Sequence, residues 1–98
     1  MKKPACIVIT SALLASGCAA HRAPTLAIDV SSRAIARAES AGAERLAPED
    51  IRRARDKLAL TGRWMAVRDH EPARWLAEQA EVDAELARAR SIRSTISR

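Results

Sequence analysis

EPARWLAEQAEVDAELARARSIRST, residues 71–95, is the stretch that decides the fold. Within it Ala73, Ala77, Ala80, Ala84, Ala87, Ser91 and Ser94 follow one another at alternating spacings of four and three. On a helix of about 3.6 residues per turn those positions fall into one line. A line of small side chains lets a neighbouring helix approach closely. Trp75, Val82, Leu86, Ala89 and Ile96 lie on the other side, separated from the first line by Arg and Glu. The segment therefore reads as one helix with two apolar faces, and a helix of that kind is expected between neighbours.

Working back from this helix, Pro72 marks its start, and Asp69 or His70 is placed to cap it. The expected span is 72–95. A second helix is expected over 48–68, opened by Pro48, with Glu49 and Asp50 favoured at the positive end of its dipole. The pair Glu49–Arg53 is expected to add side-chain support. Gly62 weakens that helix by about 1 kcal/mol relative to alanine and marks a possible bend. A first helix is expected over 25–41, with Thr25 as N-cap, Ala27, Val30, Ala34, Ala38 and Ala41 as its apolar line, and Gly42 as the left-handed residue that closes it.

The three- or four-residue break before Pro72 favours an antiparallel hairpin of the second and third helices. Ile51, Ala54, Leu58 and Met65 would then lie in the alanine groove, large against small. Leu60, Trp64 and Val67 fall on the other side of the second helix, and the hairpin brings Trp64 and Trp75 to one level near its tip. The first helix is expected to cover this surface and make both tryptophans core. In the competing reading Trp64, Trp75, Leu60, Val67, Val82 and Leu86 stay exposed as a docking interface, since aromatics often anchor interfaces. The expected fold class is all-α: a tether, expected to be lipidated on the reading of residues 1–18 below, followed by a small up-down three-helix bundle, or by an extended helical hairpin plus one helix.

Composition agrees. The chain has 98 residues, 48% of them apolar and dominated by alanine, with 3 Gly, 4 Pro and neither Phe nor Tyr. Alanine is the strongest helix former because it loses no side-chain entropy. The same numbers exclude a glycine-rich phosphate loop, a turn-punctuated sandwich and an aromatic platform for bases.

Residues 1–17 read as an export signal. Lys2 and Lys3 precede an apolar run from Ala5 to Leu14, about half the roughly 20 residues that a membrane-spanning helix needs. Leu14-Ala15-Ser16-Gly17-Cys18 resembles a bacterial lipobox, in which cleavage leaves a lipid-bearing cysteine as the new N-terminus. The expected divisions are a signal peptide over 1–17, Cys18 with its tether over 18–24, and a helical domain over 25–98. Cys6 leaves with the signal and Cys18 takes the lipid, so no thiol remains for a disulfide or metal. Three acyl chains, as in mature bacterial lipoproteins, make the attachment permanent where one does not. Ala19 stands where Asp is the familiar inner-membrane retention signal, which directs the expectation to the outer membrane, facing the periplasm; surface exposure is the alternative.

Beyond residue 17 the chain carries 15 basic and 12 acidic residues, a net +3, and every basic residue except Lys57 is Arg. Export and the lack of interleaved aromatics both argue against nucleic acid. His21 and His70 are too few for a zinc site, Asp69-His70-Glu71 reads as a polar turn, and the Glu78, Glu81 and Glu85 series reads as a solvated face. Serines 31, 32, 91, 94 and 97 have no histidine near them in sequence to activate them. No catalytic residue, cofactor or metal is assigned. Only 17 apolar residues larger than alanine occur after residue 17, so a partner or a second copy is expected to bury what the domain cannot.

The run AGAERLAP from Ala41 to Pro48, the Ala54 and Leu58 spacing in RRARDKL, and Glu71 to Ala89 together resemble an alanine-rich domain of unknown function (family 4398) of proteobacterial envelope lipoproteins. The resemblance implies a lipid-tethered helical module, often followed by an OmpA-like domain that grips peptidoglycan. Here the sequence ends at Arg98 without one, so a stand-alone module is expected and direct peptidoglycan binding is unsupported. Leu46 stands where members often have Tyr, and Arg68-Asp69-His70 replaces their usual Gly-Asp turn. The leading expectation is a non-enzymatic outer-membrane lipoprotein acting as adaptor or spacer for another envelope protein. The alternative is a self-associating lipoprotein of the murein-lipoprotein type. That protein is attached to peptidoglycan through a terminal lysine, and Arg98 in that place argues against covalent linkage.

Overall fold

The computed structural model describes residues 22–97. Four helices follow in order: α1 (Pro24–Ser40), α2 (Ala43–Leu46), α3 (Pro48–Ala66) and α4 (His70–Ile96). No strand occurs among the described residues. The three long helices match the expected ones, and α2 is a single extra turn inside the connector.

The helix ends explain the small shifts in boundary. Ala23, not Thr25, is the N-cap of α1, and Pro24 occupies the first helical position, where its missing N–H has no partner to lose. At the other end Gly42 has φ 91° and donates its N–H to the Glu39 carbonyl at 2.9 Å, the left-handed closure its sequence position announces. α3 ends in a Schellman motif: the Asp69 N–H bonds the Trp64 carbonyl and the Arg68 N–H that of Met65, each at 3.0 Å. Arg68 holds the left-handed position, φ 61°, that glycine usually fills. α4 begins at His70 rather than at Pro72. Asp69 is the N-cap residue, but its side chain makes no cap hydrogen bond, and Pro72 falls within the first turn, whose N–H groups are unpaired in any helix. α3 runs unbroken through Gly62.

Ion pairs give the topology. Lys57 Nζ lies 2.8 Å from Asp83 Oδ2 and Arg90 Nη1 lies 2.9 Å from Asp50 Oδ2, so α3 and α4 are antiparallel. Arg55 on α3 binds Glu39 near the end of α1 at 2.6 Å and also Glu44 of α2. Arg22, just before α1, reaches Glu81 at 2.9 Å. The long helices thus run up, down and up, with α1 packed against the hairpin. The expected Glu49–Arg53 pair does not form: Arg53 turns to Asp50, which is buried, and leaves Glu49 exposed.

The core is built from small side chains. Ala73, Ala77, Ala80, Ala84, Ala87 and Ser91 of α4 are all completely buried, against Ala27, Ser31, Ala34, Ile35 and Ala38 of α1 and Ile51, Ala54 and Thr61 of α3. Two expectations need correction. Ser31, not Val30, completes the α1 line, and Thr61 is buried within the α3 line while Leu58 and Met65 are only partly covered. The core hydroxyls are satisfied inside their own helices: Ser31 donates to Ile28 O at 2.9 Å, Thr61 to Lys57 O at 2.9 Å and Ser91 to Ala87 O at 2.8 Å. Bonded back in this way, Ser and Thr pack as slightly enlarged alanines.

Candidate functional site

α4 is not sandwiched between two layers. α1 and α3 both pack on its alanine side, and its second apolar face is open: Trp75 is 56% exposed and Val82 57%. The expectation that α1 buries the tryptophans is overturned, because Trp64, on α3, is exposed as well. The cause is geometric. One line of small residues serves both neighbours at once, so nothing remains to cover the face that is turned roughly half a revolution away.

The hairpin register sets the exposed residues of α3 and α4 at matching levels. In each of the pairs Lys57/Asp83 and Asp50/Arg90 the residue numbers add to 140, which puts Trp64 level with Leu76 and Trp75 level with Met65. Trp64 lies seven residues, about two turns, after Lys57 and so shares the flank of α3 that meets α4. Leu60, Trp64 and Val67 form a line along α3, while Trp75, Val82 and Leu86 form a line along the outer side of α4. All six of these residues, picked out from sequence, are exposed. Leu26 on α1 and Ile92 on α4, the latter three residues after Ala89 and four before Ile96, are exposed too and were missed.

Charged side chains tie the helices together away from the Trp64 line: Arg55 joins α3 to α1 and α2. The Arg55 guanidinium is held above its ordinary value by hydrogen bonds to Glu39 and then Glu44, and Arg74 likewise by Glu71. Both stay protonated at any ordinary pH, so these ties do not titrate away from the cation side. His70, in the hairpin turn, is exposed, as are its neighbours Asp69 and Glu71. Among the described residues no three of His, Cys, Asp and Glu converge as metal ligands. The surface hollows are shallow, such as that between α1 and α3 lined by Ser32, Ile35, Glu39, Arg55, Leu58 and Ala59. Cys18 and its lipobox, with His21, lie outside the described residues. No helix among the described residues is long and apolar enough to cross a membrane.

Fold and surface together define a small all-α domain with an alanine core and an apolar outer face. The chain belongs to the family described as Domain of unknown function (DUF4398), which matches residues 26–96. That span takes in nearly the whole of α1 through α4. No curated protein and no solved structure matches the chain.

Proposed function

We propose that the chain is a lipid-anchored lipoprotein of the bacterial outer membrane, facing the periplasm, whose helical domain acts without catalysis as an adaptor or spacer for another envelope protein. The observation that carries this reading is the exposed face of Leu60, Trp64, Val67, Trp75, Val82 and Leu86. Large apolar side chains are scarce in this chain, and placing them outside while alanines fill the core makes sense when a partner covers them. Tryptophan buries a large area at a low entropy cost and is enriched among residues that dominate binding.

The anchoring half of the proposal rests on the Leu14–Cys18 lipobox and the charged, short apolar segment before it. Mass spectrometry of the mature protein tests it directly: an N-terminal Cys18 carrying acyl chains is expected, and an unmodified N-terminus elsewhere would refute it. The docking half is tested by crosslinking in intact cells. Wild type is expected to give an adduct that Trp64→Ala with Trp75→Ala removes, while the helical content is unchanged. An adduct that persists in the double variant would place the contact elsewhere.

A further inference from the structure

We propose that the outer face of α4 takes a second copy of this chain, laid antiparallel along it, leaving the α3 line of Leu60, Trp64 and Val67 for another partner. The inference rests on the docking reading above and names the occupant of one part of that face. Trp75, Val82, Ala89 and Ile96 recur every seven residues, and of the complementary positions between them Leu86 is apolar while Gln79 and Arg93 are polar, so the exposed face is a short seam of coiled-coil type with an apolar middle.

The charges of α4 state how two such seams meet. From Glu71 to Glu85 the helix carries five acidic residues against Arg74 alone, and from Leu86 to Ile96 it carries three arginines and no acid. The helix dipole favours acids at the start and bases at the end, but its influence fades within the first and last turns. Here the segregation extends over the whole 27-residue helix. A parallel pair would set Glu78 and Glu85 beside their own copies. Glu81, Asp83 and Arg90 are held by Arg22, Lys57 and Asp50 of their own chain, so the charges left for a second copy are Glu78 and Glu85 against Arg88 and Arg93; an antiparallel pair sets these opposite one another, which selects that orientation. Like any two-fold contact it is self-complementary and closed.

The start of α1 fits the same arrangement. Arg22 bonds Glu81, close to the midpoint of α4, so the chain enters the bundle beside the middle of that helix. The apolar seam is centred between Glu85 and Leu86. At 1.5 Å per residue, two antiparallel copies would hold their entry points about 14 Å apart along the axis, whereas entry at a helix end would separate them by about 30–45 Å. Both tethers then reach one membrane, and confinement there raises the effective concentration of a modest interface.

The test is disulfide trapping in envelope membranes from cells making two differently tagged full-length copies, with a chain lacking added cysteines as background. Val82→Cys in one copy and Ala89→Cys in the other are expected to give a dimer bearing both tags, at least tenfold above Val82→Cys paired with itself. Stronger self-linkage at 82, or no dimer, overturns the proposal. Glu78→Arg with Glu85→Arg in both copies is expected to abolish the dimer, and combining that variant with an Arg88→Glu, Arg93→Glu copy is expected to restore it. Persistence in the first case, or failure to recover in the second while both variants remain helical, also overturns it. A photo-crosslinker at Trp64 separates the two readings. Capture of a different envelope protein without the 82/89 dimer sinks this inference alone, and capture of nothing sinks the docking reading as well.

Discussion

The two faces of α4 invert the usual relation between size and burial. On the inner face every side chain from Ala73 to Ser91 is small and completely buried; on the outer face Trp75, Val82 and Ile96 are each more than half exposed. Close approach of helices explains the inner face, since a missing side chain volume is made up by backbone proximity and dispersion contacts rather than by large apolar groups. The outer face has no such explanation from folding. Its residues are expected to add little to the stability of one chain, so the difference separates what the fold needs from the face proposed for docking.

That separation breaks most visibly if the inner face is enlarged. Ala84 is fully buried in the cluster that contains Ala34, Ala38, Ile51 and Ala54. Ala84→Leu adds side-chain volume where two neighbouring helices already touch α4, and is expected to destabilise the domain by about 3 kcal/mol. For a domain of this size each kcal/mol shifts the melting temperature by roughly 4–8 °C. Thermal unfolding followed by circular dichroism reads this directly, and an unchanged midpoint would mean that the alanine line is not a close-packed seam.

The border between the faces gives the next effect in size. Asp50 is 3% exposed and accepts hydrogen bonds from Arg53 of its own helix and Arg90 of α4. Asp50→Ala is expected to cost about 2 kcal/mol, because hydrogen bonds to a charged group are lost at a site where water does not readily replace them. The exposed pair Asp29–Arg33 is the control, and Asp29→Ala should change stability by less than about 0.5 kcal/mol. Equal effects from the two variants would show that burial of Asp50 adds nothing.

Much of this was legible in the sequence, and the misses have physical causes. The three-and-four spacing of alanines located the buried line of α4, and Pro24, Gly42 and Pro48 marked helix ends to within a residue or two. Thr61 and Ser31 were not recognised as core because a hydroxyl reads as solvent-facing until its bond to the preceding turn is seen. The tryptophans were expected inside because periodicity identifies apolar faces without saying which one a neighbour occupies. That choice depends on α1 and α3 sharing one alanine line, a fact of packing rather than of local pattern. The six exposed residues of the candidate face are nonetheless picked out by the sequence, since large side chains are rare in it.

Gly62 sharpens the comparison from outside both faces. It is exposed in the middle of α3, and a Cβ built there meets nothing within 4 Å. Gly62→Ala is therefore expected to stabilise the domain by about 1 kcal/mol through the backbone alone. A chemical denaturation midpoint that moves upward supports this, whereas a fall would reveal a contact or bend that requires glycine.

The smallest expected effect on stability is the most informative. Trp75 is the largest side chain on the outer face and more than half exposed, so the folded chain gains little from it. Trp75→Ala should alter unfolding free energy by no more than about 0.5 kcal/mol, even though an equivalent truncation in an ordinary core costs about 3–5 kcal/mol. Alanine is also the better helix former, which offsets part of what contact is lost. If the same substitution weakens docking while leaving the melting curve in place, stability and recognition lie on opposite sides of one helix. If it unfolds the domain, the outer face is part of the core after all, and the distinction between the two faces fails at its most exposed residue.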